Sequence, residues 1–291
     1  MTQIYILLKN INNLIKLFNF FYMICYPNAK INLGLKIISK RDDNYHNIES
    51  FFLPIPLFDI LEVKKQLPNI TDTTISYSGF NTHGINNDLV IQAFNILKND
   101  FPIDPIRVHL HKNIPFQSGL GGGSSDAAFM LIMLNKLFNL DLSELELLNY
   151  AKNLGSDCPF FIINQLSQVS SNGDVIKPIN FNFDGYYIVI LKPDFSCSTR
   201  DIFSKYHLNK KCDLLIKLDK NPMCWKKELV NDLESVTFSI HPELKDIKNY
   251  LYNKGAIYAS MSGSGSSVYG LFNKKPNIDQ KFNYWYWEGS F

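Results

Sequence analysis

The chain has 291 residues, 46% of them apolar, enough for one large or two medium domains with a real core, and global disorder is not expected. Its 29 basic and 27 acidic residues leave a formal net charge of +2. That balance argues against a dedicated nucleic-acid binder, which shows a clustered basic face, but leaves room for local Lys and Arg serving an anionic small molecule. The cysteines, Cys25, Cys158, Cys197, Cys212 and Cys224, are odd in number, widely spread and free of any C-x-x-C pair. A disulfide framework or zinc site is therefore not expected, and a reducing, cytoplasmic setting fits best.

Residues 1–24 are rich in Ile, Leu, Phe and Asn, with Lys9 and Lys16 breaking the apolar run. A signal peptide or a membrane span needs an unbroken stretch, and this one is interrupted. The preferred reading is that the functional protein starts at Met23 and that 1–22 is a dispensable or mis-called extension; an amphipathic surface helix is the alternative. Ala29–Ile38 reads as a strand. Lys30 and Asn32 fall on alternate positions and so share a face. Lys30 is placed to aim into a site, or else is a surface lysine with a buried stem. Lys40–His46 is polar and turn-like, and strands follow over Ile48–Pro54, Asp59–Lys64 and around Ile75–Tyr77. Leu89–Phe101 has a helical period and Arg107–Lys112 returns to strand. His109 and His111 alternate there with no third ligand close in sequence, so a polar strand face is preferred to a metal site.

The most informative stretch comes next. Gly119, Gly121, Gly122 and Gly123 run into Ser124, Ser125 and Asp126, and then into an apolar helix expected over Ser125–Phe138. Glycine lets a backbone approach a ligand and take positive φ. A helix start supplies unpaired amides and the positive end of a dipole, so the two together suit phosphate. A tight turn is the plain alternative. The stretch is not a P-loop, because no Lys follows its last glycine. The third small position of the dinucleotide fingerprint holds Ser124, and at the expected distance stands the Leu142–Leu154 helix pattern rather than an acidic residue closing a second strand. His-Arg-Asp and Asp-Phe-Gly, the marks of a protein kinase, are missing from the sequence.

Leu142–Leu154 is a further helix, with Ser143 and Glu146 as a capping box. Asp157 lies between the helix end at Gly155 and the apolar run Cys158–Phe161. A carboxylate there is suited to accept a hydroxyl proton, or to bond its own backbone in a turn. Strands recur at Tyr186–Leu191 and Ser267–Phe272, with a helix over His241–Asn253. Ser262, Gly263, Ser264 and Gly265 make a second Gly/Ser loop, either an anion nest or a hairpin turn. Helices and strands alternate without a regular βαβ repeat, so the expected class is α+β. A domain border is placed near 163, giving units of 23–163 and 164–291. The aromatic tail Asn283–Glu288 packs on the body or on a partner.

In this order and at these positions, the motifs resemble those of the GHMP kinase superfamily. Its phosphate loop, Pro-x-x-x-Gly-Leu-Gly-x-x-Ser-Ser, is matched by Pro115, Gly119, Leu120, Gly121, Ser124 and Ser125, and its C-terminal Gly-rich motif by Ser262–Gly265. Pro27–Leu35, Lys40–Glu49 and Leu154–Phe161 are similar to the branch that acts on a cytidine-diphosphate-linked methylerythritol. The likeness covers about residues 23–272. Mevalonate and galactose kinases carry Gly-Glu-His near the first strand; here Leu35 and Lys36 follow Gly34, which disfavours them. Asn44 replaces the usual Gly before Tyr-His, and Ser264 a frequent Thr.

The resemblance implies a two-domain fold, ribosomal-protein-S5-like at the N-terminal side and ferredoxin-like at the C-terminal side. It implies an ATP-dependent, Mg²⁺-assisted phosphorylation of the acceptor's tertiary 2-hydroxyl, on the non-mevalonate route to isoprenoid precursors. A kinase of mevalonate or homoserine type is the alternative. By motif, Asp157 would take the hydroxyl proton and Lys30 would stabilise the alkoxide. Pro115, Gly119, Leu120, Gly121, Gly122, Gly123, Ser124 and Ser125 would cradle ATP, with Mg²⁺ carried by the phosphates and no protein metal ligand assigned. Tyr45 and His46 would hold the cytosine with Phe203 stacked on it, while Asn32, Gly263, Ser264 and Gly265 complete the acceptor side. Neither a nucleic acid nor a membrane is an expected partner, and both a monomer and a homodimer remain open.

Overall fold

The computed structural model describes residues 22–43, 45–66, 69–80, 88–207, 218, 221–279 and 283–291. The expectations about residues 1–21, Asn44 and Cys212 lie outside these residues. The organising element is a long antiparallel hairpin of β2 (Asn28–Lys40) and β3 (His46–Phe58), 13 residues each. β3 runs well past the expected end at Pro54. Proline cannot donate to a ladder. Its second neighbour, β7 (Ser167–Ser171), pairs only with Ile48–Phe52, so Pro54 and Pro56 need no partner on that side. β8 (Val175–Pro178) completes this first sheet in the order β2-β3-β7-β8.

A second sheet has β1 (Tyr22–Cys25), β4 (Ile60–Lys65), β6 (Ile106–Lys112) and β5 (Thr74–Gly79), in that spatial order, with β5 and β6 parallel. The third sheet is antiparallel, ordered β10 (Tyr258–Met261), β11 (Val268–Phe272), β9 (Tyr187–Lys192), β12 (Trp285–Ser290). The aromatic tail therefore packs on the body, as the edge strand β12 against β9.

Alternation along each strand decides what each face buries. Leu61, Val63, Val108 and Leu110 of the second sheet pack on Phe94 and Leu97 of α1 (Leu89–Asp100) and on Met130 and Leu134 of α2 (Gly122–Phe138). Ile31, Leu33, Phe51 and Leu53 of the first sheet meet Ile188, Ile190, Tyr269 and Leu271 of the third. The other face of β9, Val189 and Leu191, packs on Leu244, Ile247 and Leu251 of α8 (Glu243–Asn253). Those three recur at i, i+3 and i+7 and are fully buried, so truncating any one to Ala costs about 2–5 kcal/mol.

α2 starts at Gly122, three residues before the expected Ser125, because tertiary packing of the loop overrides the low helix propensity of glycine. α3 (Glu144–Lys152) carries the expected capping box of Ser143 and Glu146. Elements missed from sequence are short: α4 (Cys158–Ile163), α5 (Thr199–Lys205), α6 (Trp225–Glu228) and α7 (Glu234–Ile240), with strands β1, β7, β8, β10 and β12. No helix among the described residues is long and apolar enough to cross a membrane.

Candidate active site

Lys30 is 3% exposed on β2, among apolar neighbours. A buried ammonium needs partners to offset its lost hydration. It donates to Asn32 Oδ1 at 2.7 Å, stands 3.2 Å from Asp157 Oδ2 and lies 4.3 Å from the centroid of Phe52. It is not a surface lysine. The strand alternation that puts Lys30 and Asn32 on one face also lets Asn32 Nδ2 donate to Ser50 Oγ at 3.0 Å, which fixes the amide.

Asp157 is the residue before α4, yet its side chain makes no capping bond to that helix. Its carboxylate turns to Lys30 instead, which decides against the turn reading. The side chain keeps 29% exposure, so it remains open to a ligand.

The glycine stretch connects β6 to α2. Gly121 precedes the helix at φ +74°, and no side chain caps the first turn. The first turn also lacks an acidic residue, so the amides of Gly122, Gly123 and Ser124 face their dipole end without a competing anion. A Cβ on Gly121 would lie 2.9 Å from Phe161 Cζ and 3.2 Å from Lys30 Cε. Ser125 Oγ is buried without a hydrogen-bond partner. An orphaned hydroxyl beside free helix amides fits a phosphate group. The loop is tied to the lysine strand, since Lys30 N–H donates to the Leu120 carbonyl at 2.9 Å.

The second Gly/Ser loop is a hairpin between β10 and β11 that docks onto the first. Ser262 Oγ donates to the Gly119 carbonyl at 2.8 Å, and Ser267 N–H to the Ser118 carbonyl at 3.1 Å. The approach demands glycine: at Gly119, φ +78°, a Cβ would sit 2.0 Å from the Ser262 carbonyl oxygen. Asn32 N–H donates to Ser262 Oγ at 3.3 Å, and a Cβ on Gly263 would be 3.6 Å from Asn32 Oδ1. Asn231 Nδ2 donates to the Met261 and Gly263 carbonyls at 2.9 and 2.8 Å, and Glu234 accepts the Met261 N–H at 2.9 Å.

The chain of contacts continues through Ser264, whose Oγ is 3.0 Å from Thr199 Oγ1 at the start of α5. On that helix Phe203 meets His46, the first residue of β3, with ring centroids 5.3 Å apart and planes 34° apart. Burial, with Lys40 adding, holds the His46 imidazole below its usual range, so it is neutral at pH 7. Tyr45 is 62% exposed at the rim.

The structure thus joins Lys30, Asn32, Asp157, Gly119, Leu120, Gly121 and Gly263 around one centre. Pro115 begins the loop and accepts Ser118 Oγ at 2.7 Å through its carbonyl. His46 and Phe203 form a ring pair linked to that centre by Ser264 and Thr199. Sequence reading missed Ser50, Asn231, Glu234 and Thr199, whose partners are remote in the chain. It also assigned no role to Lys112, Asp59 and Asp126. His109 and His111 bond to Ser76 and Ser78 across the strands, as the polar reading expects.

A glycine-opened helix start beside a buried lysine paired with a half-buried aspartate suits a small-molecule kinase, and comparison with known proteins agrees. The chain belongs to the GHMP kinase family: the family model for the GHMP kinases N terminal domain matches residues 88–165, and that for the GHMP kinases C terminal matches residues 215–288. Among its relatives are proteins named 4-diphosphocytidyl-2-C-methyl-D-erythritol kinase. That of Bacteroides thetaiotaomicron is 45% identical over 260 residues, 89% of this chain and 95% of that protein. That of Clostridium perfringens is 33% identical over 267 residues, 88% and 91% of the two chains. A crystal structure of 4-(cytidine 5'-diphospho)-2C-methyl-D-erythritol kinase superposes with a TM-score of 0.73 at 28% identity, covering 87% of this chain and 91% of that one. A homoserine kinase from Cytophaga hutchinsonii shares the fold at TM-score 0.66 and 16% identity, covering 87% and 86%.

Proposed function

We infer that this chain is an ATP-dependent kinase that phosphorylates the 2-hydroxyl of 4-diphosphocytidyl-2-C-methyl-D-erythritol, on the non-mevalonate route to isoprenoid precursors. The observation that carries the reading is the Lys30–Asp157 pair, 3.2 Å apart beside the glycine-opened start of α2. Phosphoryl transfer asks a protein mainly for positioning and charge neutralisation. The amides of Gly122, Gly123 and Ser124 and the hydroxyl of Ser125 receive the ATP phosphates, and Gly121 leaves room for them. Mg²⁺ enters with the nucleotide as part of that substrate and neutralises phosphate charge.

Asp157 accepts the hydroxyl proton. A tertiary alcohol is a poor acid, so Lys30 is needed to stabilise the oxygen as it becomes an alkoxide. Asn32, held by Ser50, fixes the direction of the ammonium. His46, neutral at pH 7, and Tyr45 take the cytosine edge, and Phe203 supplies a stacking face. Residues 23–163 contribute the cradle, Lys30, Asp157 and His46, while residues 164–291 contribute Phe203 and the 262–265 loop. A reducing, cytoplasmic setting belongs to this reading, and Cys25, Cys158, Cys197 and Cys224 all carry free thiols.

The test is ADP release by the full chain with ATP, Mg²⁺ and the cytidine-diphosphate-linked acceptor. Asp157→Asn should lower kcat by about 10²–10⁴-fold, the scale of general-base loss, with ATP affinity little changed. Turnover of mevalonate or homoserine in place of the cytidyl acceptor would overturn the assignment, and wild-type turnover in Asp157→Asn would remove that residue from the chemistry.

A further inference from the structure

Beneath the phosphate cradle lies a charged cluster that the mechanism does not use. Lys112, the last residue of β6, is 1% exposed, and its Nζ donates to Asp59 Oδ2 and to Asp126 Oδ2, the latter at 2.5 Å. Asp59, between β3 and β4, is fully buried and accepts the amides of Asn113 and Ile114 through Oδ1 at 2.6 and 2.8 Å. Asp126, in the second turn of α2, is 2% exposed, and its Oδ1 has no hydrogen-bond partner. Gly122 rests directly on the cluster: a Cβ there would be 3.3 Å from Lys112 Nζ. The cluster therefore grips the loop at both ends, at 113–114 and at 122–126.

Two acids and one amine make a net negative charge if all three ionise. An uncompensated charge in a buried site is costly, and a negative one under a triphosphate also opposes binding. The two acids are not equivalent. Asp59 accepts two amides and the ammonium, whereas Asp126 accepts the ammonium alone and keeps an orphaned oxygen, which disfavours its charged form.

We propose that the Lys112–Asp59–Asp126 cluster is a positioning and charge-balancing element of the nucleotide site. It holds the loop at both ends and stays neutral by keeping one proton on Asp126, so that losing this proton weakens ATP binding. The proposal rests on the reading that residues 115–125 hold the ATP phosphates.

Burial pushes the Asp126 carboxyl up to about 8, with Lys112 opposing and Asp59 adding to the rise. Burial pulls Lys112 down, but its contacts with Asp126 and Asp59 outweigh it, and the amine stays charged. The other groups facing Asp126 are Cys25 on β1 and Tyr77 on β5, the latter bonded to Asp88 before α1; Lys136, further along α2, faces Cys25. Burial pushes the Cys25 thiol up to about 12 and raises the Tyr77 phenol, so neither changes charge between pH 7 and 9.5. Phosphate completes its own second ionisation near pH 6, below the window.

The experiment is calorimetric titration of Mg²⁺-ATP into the full chain between pH 7 and 9.5, for wild type and Asp126→Asn. The wild-type dissociation constant should rise about tenfold across the window. Asp126→Asn, a neutral stand-in for the protonated acid, should match wild type within about threefold at pH 7 and stay flat. A flat wild-type curve, or the same rise in Asp126→Asn, overturns the proposal; the wild-type curve alone can do so if the variant does not fold. An absence of ATP binding at any pH would instead remove the nucleotide reading on which the proposal stands.

Discussion

The docking of the two Gly/Ser loops can be tested by adding a single methyl group. In Gly119→Ala the new Cβ would lie 2.0 Å from the Ser262 carbonyl oxygen, roughly 1.4 Å inside ordinary contact. The φ of +78° adds a cost of about 1 kcal/mol for any L side chain. Relief requires the 262–267 loop to withdraw, which stretches the bonds from Ser262 Oγ to Gly119 and from Ser267 N–H to Ser118. At about 1 kcal/mol each, these bring the expected loss to about 3 kcal/mol. Gly185→Ala is the control, because Gly185 has φ +84° but nothing within 4 Å of its added Cβ. It should lose only the backbone cost, about 1 kcal/mol, or about 2–4 °C in Tm. Its kcat/KM should be unchanged. Gly119→Ala should fall by about 10²-fold in kcat/KM, since displacements near 1 Å carry that scale of penalty. Calorimetry and ADP release on both variants decide the matter. If the two variants melt and turn over alike, crowding at the seam is not what Gly119 relieves.

Phe203→Ala should raise KM for the cytidyl acceptor by about tenfold, the worth of a lost stacking face, with ATP binding unaffected; equal losses for both substrates would place Phe203 outside the acceptor site. Asp126→Asn carries a stability signature as well. A carboxyl raised in the fold contributes fully below its unfolded range near 3.9, and that contribution is lost as pH rises towards about 8. The variant should therefore gain on wild type between pH 5 and pH 8, by at least about 1 kcal/mol, in denaturant melts. A gap that is constant or shrinks with pH would contradict a retained proton.

Local signals carried the glycine loop, the helix behind it and the capped helix α3, because each is written in adjacent residues. Lys30 and Asp157 were legible as candidates only through their company, since each alone had an ordinary surface or turn explanation. Their 3.2 Å contact joins residues 127 positions apart, and no period encodes that. The same holds for the seam between Ser118–Gly119 and Ser262–Ser267. α4 was hidden because six residues, Cys158–Ile163, are too few to display a helical period in an all-apolar run. β12 was ambiguous because an aromatic strand on a sheet edge reads the same whether it meets its own body or another chain. The Lys112 cluster gave one faint sign, an aspartate beside Ala127, Ala128 and Met130 at the start of the apolar run of α2. Its partners come from the β3–β4 junction and the end of β6.

The bond from Lys30 N–H to the Leu120 carbonyl gives the donor and acceptor halves of the cleft a common frame of reference. Because the bond ties β2 to the loop, a shift of β2 should carry the ammonium and the loop amides together. In the proposed reading the cytidyl ring is taken elsewhere, on the first residue of β3 and on the seven-residue helix α5. Substitutions there alter which alcohol is presented while leaving the transfer geometry as it was. Directed evolution towards a new acceptor should therefore accumulate changes around positions 45, 46, 199 and 203 and spare positions 30, 120 and 121.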